Sequence, residues 1–235
     1  MPELVPIRVA FLLFPNVTQL DLTGPAQVLS RLGNATIDLV ARTRDPVMSD
    51  AGFALLPTAT FDDAIQPDLL CVPGGLGVND AMEDDATIAW VRQAAAGAQW
   101  ITSVCTGSLL LGAAGLLSGY RATCHWASHD LLAAFGAIPV KERVVFDRNR
   151  ATGGGVTAGI DFGLALVAAI RGEAQARLVQ LTLEYDPAPP FDSGTPTSAT
   201  PETLARYERL AGEGLAARAE RTRAVAAKLS GASYP

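Results

Sequence analysis

Cysteine is scarce in this chain, basic clusters are absent, and no apolar run reaches membrane-spanning length. Each shortage removes a class of protein. Three cysteines, Cys71, Cys105 and Cys124, occur among 235 residues. Their number is odd, their spacing is irregular and no Cys-x-x-Cys pair is present. That argues against a disulfide scaffold or a zinc site and for a reducing compartment. Lys and Arg number 18 against 24 Asp and Glu, for a net charge of −6. With no basic cluster, nucleic acid and anionic membranes are poor partners. The first residues lack a basic stretch followed by an apolar core, so no leader is expected. The expectation is a soluble, cytoplasmic protein. What is plentiful is apolar side chain, 49% of the total. That suits one large α/β domain, or a domain with an appendage.

Ile7 to Phe14 is a nearly continuous apolar run, as expected of a parallel strand covered on both faces. After Pro15-Asn16 come Val17 to Pro25 and a helical segment through Leu32. Asp21 then falls just past the carboxyl end of the first strand, where open α/β sheets collect ligands. A first-turn or N-cap acid is the competing role for that residue. Further strands are expected at Ile37 to Ala41, Asp68 to Val72 and Trp100 to Val104, with an edge arm at Phe53 to Pro57. Arg121 to Cys124 reads as a short strand, and Val144 to Asp147 pairs with Arg150 to Thr152. Helices are expected from Asp84 to Ala96, His125 to Phe135, Ile160 to Ile170 and Glu173 to Leu183. This alternation predicts a doubly wound, mostly parallel sheet flanked by helices. No internal repeat is evident. Residues 187–201 are proline-rich, and Glu202 to Leu229 is a charged helix with a narrow apolar stripe. We therefore divide the chain into a catalytic-type domain, 1–186, and an extension, 187–235, that packs on the domain or on a second subunit.

The candidate chemistry centres on Trp100 to Gly112. A strand-forming run ends at Cys105, Thr106-Gly107-Ser108 follow, and an Ala/Leu/Gly segment with helical period comes next. This resembles a nucleophile elbow, with the thiol lifted out of the sheet near a helix N-terminus. A cysteine in apolar surroundings is more commonly a small buried hydrophobe, but the turn residues favour the nucleophile. The helix dipole, worth at most ~2 kcal/mol, would lower the thiol from ~8.5 by roughly 1.5 pH units at about 1.4 kcal/mol each. The expectation is thus a solvent-reachable thiol ionising near neutrality. Pro73-Gly74-Gly75, directly after a strand, exposes backbone N–H groups in the manner of an oxyanion hole, or forms a plain turn. No phosphate loop or dinucleotide glycine pattern is present.

These pieces occur in one order. Gln19-Leu20-Asp21-Leu22-Thr23-Gly24-Pro25 comes first, then Pro73-Gly74-Gly75, Ser103-Val104-Cys105-Thr106-Gly107 and Ala122-Thr123-Cys124-His125-Trp126. In this the chain resembles the ThiJ/PfpI superfamily over residues 5–185. Asp21 in place of the more usual glutamate, Thr106 after the cysteine, Thr152 to Asp161 and the Leu183 to Phe191 tail resemble the isocyanide hydratase branch. Val156, where isoleucine is expected, is a mild departure. The resemblance implies a flavodoxin-like, glutamine-amidotransferase-type fold and a homodimer that uses neither metal nor cofactor. It also implies hydration of a small-molecule isocyanide to an N-substituted formamide. Cys105 is then the nucleophile, Asp21 the proton carrier and Thr106 a hydrogen-bonding catalytic group. Gly74, Gly75, Val156, His125 and Trp126 would contact the substrate, with Ile160 and Phe11 as further walls.

The proton accounting is consistent with that implication. Two adjacent negative charges are costly, so Cys105 and Asp21 should share one proton and titrate as a pair. A Cys–His pair would point to peptidase chemistry, but Thr106 occupies the position that histidine takes in such members. His125 reads as structural, and His129 as a helix-surface residue. Two rivals remain: a glyoxalase- or deglycase-like enzyme, and the ligand-sensing domain of AraC-type regulators. The sensors carry helix-turn-helix units after the domain, and no such unit is recognisable in 187–235.

Overall fold

In the computed structural model, which describes residues 4–231, β1 (Ile7–Leu12) lies in the interior of the main sheet. Its last four residues are buried, as a strand covered on both faces requires. The chain continues through α1 (Gln19–Leu29), β2 (Ala35–Ala41) and a two-stranded arm of β3 (Val47–Met48) and β4 (Ala54–Leu55). Next come β5 (Ala59–Thr60), β6 (Leu69–Val72), α2 (Val78–Ala81) and α3 (Asp85–Gly97). They are followed by β7 (Trp100–Val104), α4 (Gly107–Ala113) and β8 (Arg121–Ala122). A 3-10 helix (Trp126–Phe135), β9 (Ile138–Pro139), β10 (Val144–Asp147) and β11 (Arg150–Gly153) lead into α5 (Ala158–Arg171), α6 (Glu173–Thr182) and α7 (Pro201–Gly231).

The main sheet runs β10-β11-β7-β6-β1-β2-β5 and is parallel except for the β10–β11 pair. It is the doubly wound, helix-flanked architecture expected. Two groups of helices cover it: α1, α5 and α6 pack together, as do α4, the 3-10 helix and α7. The strand order reverses direction at β1, whose neighbours are β2 and β6. At such a switch point the loops leaving adjacent strands part and open a crevice at the carboxyl edge. The loops after β1, β6 and β7 therefore converge there.

Three local expectations need correction. Helix α1 begins at Gln19, ahead of Pro25, which lies inside it. A proline commonly starts a helix. Here it instead removes the bond to the carbonyl four residues back, that of Asp21. The strand at Arg121 stops at Ala122, and the segment after His125 is a 3-10 helix. In one of the two placements expected for the extension, α7 packs on the domain through the 3-10 helix, α4 and α2. Among the described residues, no helix is long and apolar enough to cross a membrane.

Candidate active site

The end of β7 is held between β6 and β11, and the chain must turn sharply to leave it. Cys105 takes this turn with φ 59°, in the left-handed region. There a side chain costs roughly 1–2 kcal/mol. Its N–H donates to the carbonyls of both Gly153 (3.0 Å) and Gly154 (2.8 Å), which fixes the bend. Gly107 permits the close approach that follows, since a Cβ there would stand 2.1 Å from the Val72 carbonyl oxygen. The result is the elbow expected from the sequence.

The loops after β1 and β6 bring the other groups to it. Asp21 sits in the first turn of α1 and is wholly buried. Its Oδ2 accepts from the Gly74 N–H at 3.1 Å. Among the described residues, no donor meets Oδ1 with ordinary hydrogen-bond geometry. The Cys105 thiol is the side chain coupled to this carboxyl, as a weak sulfur donor. Thr106, also buried, accepts from the Gly75 N–H at 3.0 Å. A Cβ on Gly74 would lie 2.6 Å from Thr106 N, 2.7 Å from Thr106 Oγ1 and 2.8 Å from Asp21 Oδ2. Only glycine lets these groups meet. The expected open nest is thus occupied by the protein's own side chains: Gly74 N–H holds Asp21, and Gly75 N–H holds Thr106.

The electrostatics reverse the expectation of a low thiol acidity constant. Cys105 is only 5% exposed. Burial, then the neighbouring Asp21 and Cys124, push its thiol well above the ordinary value, and the Thr106 N–H only partly opposes them. Desolvation outweighs the dipole of α4, which spans seven residues. Burial also raises Asp21 from 3.8 to about 7, against the pull of the Cys105 and Gly74 hydrogen bonds. Cys71 and Cys124, fully buried, are both pushed up to about 12.

Among the described residues, neither histidine is hydrogen-bonded to the thiol. His125 caps the 3-10 helix by accepting from the Ala127 N–H at 3.3 Å, and burial lowers its basicity. His129, expected on the surface, is buried, because the 3-10 helix turns that side toward the domain. Trp126 is exposed and packs on Tyr207 of α7 with ring centroids 4.9 Å apart. Gly155 faces the His125 ring, and Val156, half-buried, follows it in the turn before α5. Phe11 is fully buried in the core and is no pocket wall. Ile160 lines a separate cavity of about 350 Å³ whose walls include neither Cys105 nor Asp21.

Sequence reasoning missed Arg218. Carried by α7, it is 8% exposed and hydrogen-bonds the Gly75 carbonyl, Asn79 and Ser128. One signal was available: Arg218 shares a helix face with Leu215, Thr222, Val225 and Leu229, a cation on a mostly apolar stripe. Among the described residues, no cluster of three or more His, Cys, Asp or Glu could hold a metal ion.

Residues 7–169 match the DJ-1/PfpI family. The chain is 54% identical over 224 residues to the isonitrile hydratase of Pseudomonas putida, covering 95% of this chain and 98% of that one. A crystal structure of a ThiJ/PfpI family protein from Pseudomonas syringae superimposes with a TM-score of 0.90. It is 46% identical, with 96% of this chain and 92% of that one covered. The HTH-type transcriptional regulator GbdR of Pseudomonas aeruginosa is 30% identical over 193 residues, 77% of this chain but 51% of the regulator.

Proposed function

This chain belongs to the DJ-1/PfpI family, and from that premise we propose that it hydrates organic isocyanides to N-substituted formamides. The reading is carried by its likeness, over nearly the full length of both chains, to the Pseudomonas putida isonitrile hydratase. The acid–thiol pair at the switch point supplies the chemistry that hydration needs. An isocyanide carbon must gain a nucleophile and a proton, and a thiol coupled to a carboxyl holds both.

In this mechanism the Asp21–Cys105 pair carries one proton above pH ~7, and the order of the two acidities keeps it on sulfur. Cys105 Sγ attacks the terminal carbon. As the C–S bond forms, Asp21 takes the thiol proton and passes it to that carbon, giving the thioimidate R–N=CH–S–Cys. Asp21, again a carboxylate, next accepts a proton from water as its oxygen adds to the same carbon, and that proton goes to nitrogen. The adduct R–NH–CH(OH)–S–Cys then collapses: the C–S bond breaks, the hydroxyl proton returns to sulfur, and formamide leaves. The Gly74 N–H, by holding Oδ2, leaves Oδ1 for these transfers. Thr106, anchored by Gly75, hydrogen-bonds to the intermediate or its water. Val156, His125 and Trp126 would flank the substituent R.

Incubation with a simple aliphatic isocyanide, followed by NMR, should yield the formamide, and mass spectrometry should trap the thioimidate on Cys105. No product across several isocyanides would overturn the reading in favour of a ligand sensor or a carbonyl-directed enzyme. The proposal extends to a homodimer in the cytoplasm that needs neither metal nor cofactor. Sedimentation, cell fractionation and metal analysis of the purified protein test these points.

A further inference from the structure

Arg218 is a buried cation for which, among the described residues, no carboxylate lies within ion-pair distance. Its three acceptors are neutral: Asn79 Oδ1 at 3.1 Å, Ser128 Oγ at 3.3 Å and the Gly75 carbonyl at 3.3 Å. Burying a charge without a counter-charge is costly, and a fold that needed only packing would use an apolar residue there. Neighbouring Arg221, by contrast, makes ordinary pairs with Asp80 and Glu83.

The Gly75 carbonyl gives the arrangement its meaning. Thr106 Oγ1 accepts from Gly75 N–H, so its one hydrogen remains to be directed. Among the described residues it donates, at a long 3.4 Å, to that same carbonyl. Two donors on one oxygen weaken each other, and a guanidinium there repels a hydroxyl hydrogen turned toward it. We infer that Arg218 is a positioning residue: by competing for the Gly75 carbonyl it loosens the Thr106 hydroxyl's hold on that oxygen, so that the hydrogen can turn to the reacting intermediate. It acts from α7, outside the family-matched residues 7–169. The inference rests on the hydratase reading and adds to it how the Thr106 donor is aimed.

The test is a double-mutant cycle on the full chain with an aliphatic isocyanide. Arg218→Met should lower kcat by about tenfold to hundredfold, the range for a misaimed group, with KM changed less than about threefold. Arg218→Lys should recover much of that loss, because it keeps a cationic donor. In a Thr106→Val background, Arg218→Met should cost less than about twofold, since there is no hydroxyl left to aim. An undiminished loss in that background, or an effect confined to KM, overturns the inference while leaving the hydratase reading intact. Absence of turnover by the unaltered protein defeats both. Should Arg218→Met fail to fold by circular dichroism, Asn79→Ala and Ser128→Ala loosen the guanidinium from its far side. Either should then lower kcat by roughly threefold with Thr106 present, and not at all without it; equal losses in both backgrounds would again overturn it.

Discussion

Replacing Asp21 by asparagine should yield a protein that is inactive yet more stable, with a gain that grows as pH rises. The carboxyl is fully buried and titrates at about 7 in the folded chain instead of 3.8. Below pH 3.8 it is protonated whether the chain is folded or not, and its ionisation contributes nothing. Between 3.8 and 7 the unfolded chain ionises while the folded one keeps its proton, so stability falls with increasing pH. Above 7 both states are ionised and the whole penalty is present, roughly 4 kcal/mol at about 1.4 kcal/mol per pH unit. Relaxation reduces such penalties, and asparagine brings an amide of its own to satisfy. A net gain of about 2 kcal/mol is expected at pH 8, with little at pH 4. For a chain of this length that is roughly 4–8 °C in Tm. Thermal unfolding of both proteins at pH 4, 6 and 8 measures the difference, in which other titrations cancel. A gain that is flat with pH, or that shrinks toward pH 8, would refute the buried-carboxyl argument. Wild-type turnover by the variant would remove Asp21 from the chemistry.

Three other outcomes follow from the same geometry. Cys105→Ala should fold and reduce formamide production to background; residual turnover above the protein-free rate would exclude sulfur as the nucleophile. The pH profile of kcat/KM should rise through about 7, as Asp21 loses its proton and becomes able to accept one. It should then stay level to well beyond pH 9, because burial keeps the Cys105 thiol protonated. A fall between pH 7 and 9 contradicts this. Gly74→Ala drives a methyl group into Thr106 and Asp21. It should cost about 1–3 kcal/mol of stability and at least roughly a hundredfold in turnover, so near-normal kinetics would show that the turn yields.

The strands around the site are legible locally because each buries both faces and ends in residues that cannot continue it. The run at Ile7, the Leu69 to Val72 strand before Pro73-Gly74-Gly75 and the Trp100 strand before Thr106-Gly107 all carry that signature. That Asp21 reaches Cys105 is a property of strand order, which places β1 beside β6 and β6 beside β7. No local pattern encodes such neighbours, so that meeting came from the family resemblance. The thiol's acidity was misjudged because a helix N-terminus is visible in a sequence, whereas the shell that desolvates Cys105 comes from several distant segments. His129 was misplaced for a related reason: a 3-10 helix has about three residues per turn, so α-helical spacing assigns its faces wrongly. Arg218 lay 143 positions from the carbonyl it binds. Its oddity on the stripe of α7 was readable, but its destination was not.

The route of α7 bears on how this protein comes to life on the ribosome. By the time α6 has emerged, the nascent polypeptide already contains Cys105, Asp21 and Thr106. The guanidinium beneath the Gly75 turn arrives only with a helix of 31 residues that follows the proline-rich stretch. Long-range closures of this kind are slow steps in folding, so the sheet can form before α7 adds Val225 and Ala226 to the core and Arg218 to the Gly75 turn. Trims at the carboxyl-terminal side that remove α7 would then cost that contact together with the Val225 and Ala226 packing, and the fall in turnover should come with a loss of helix signal.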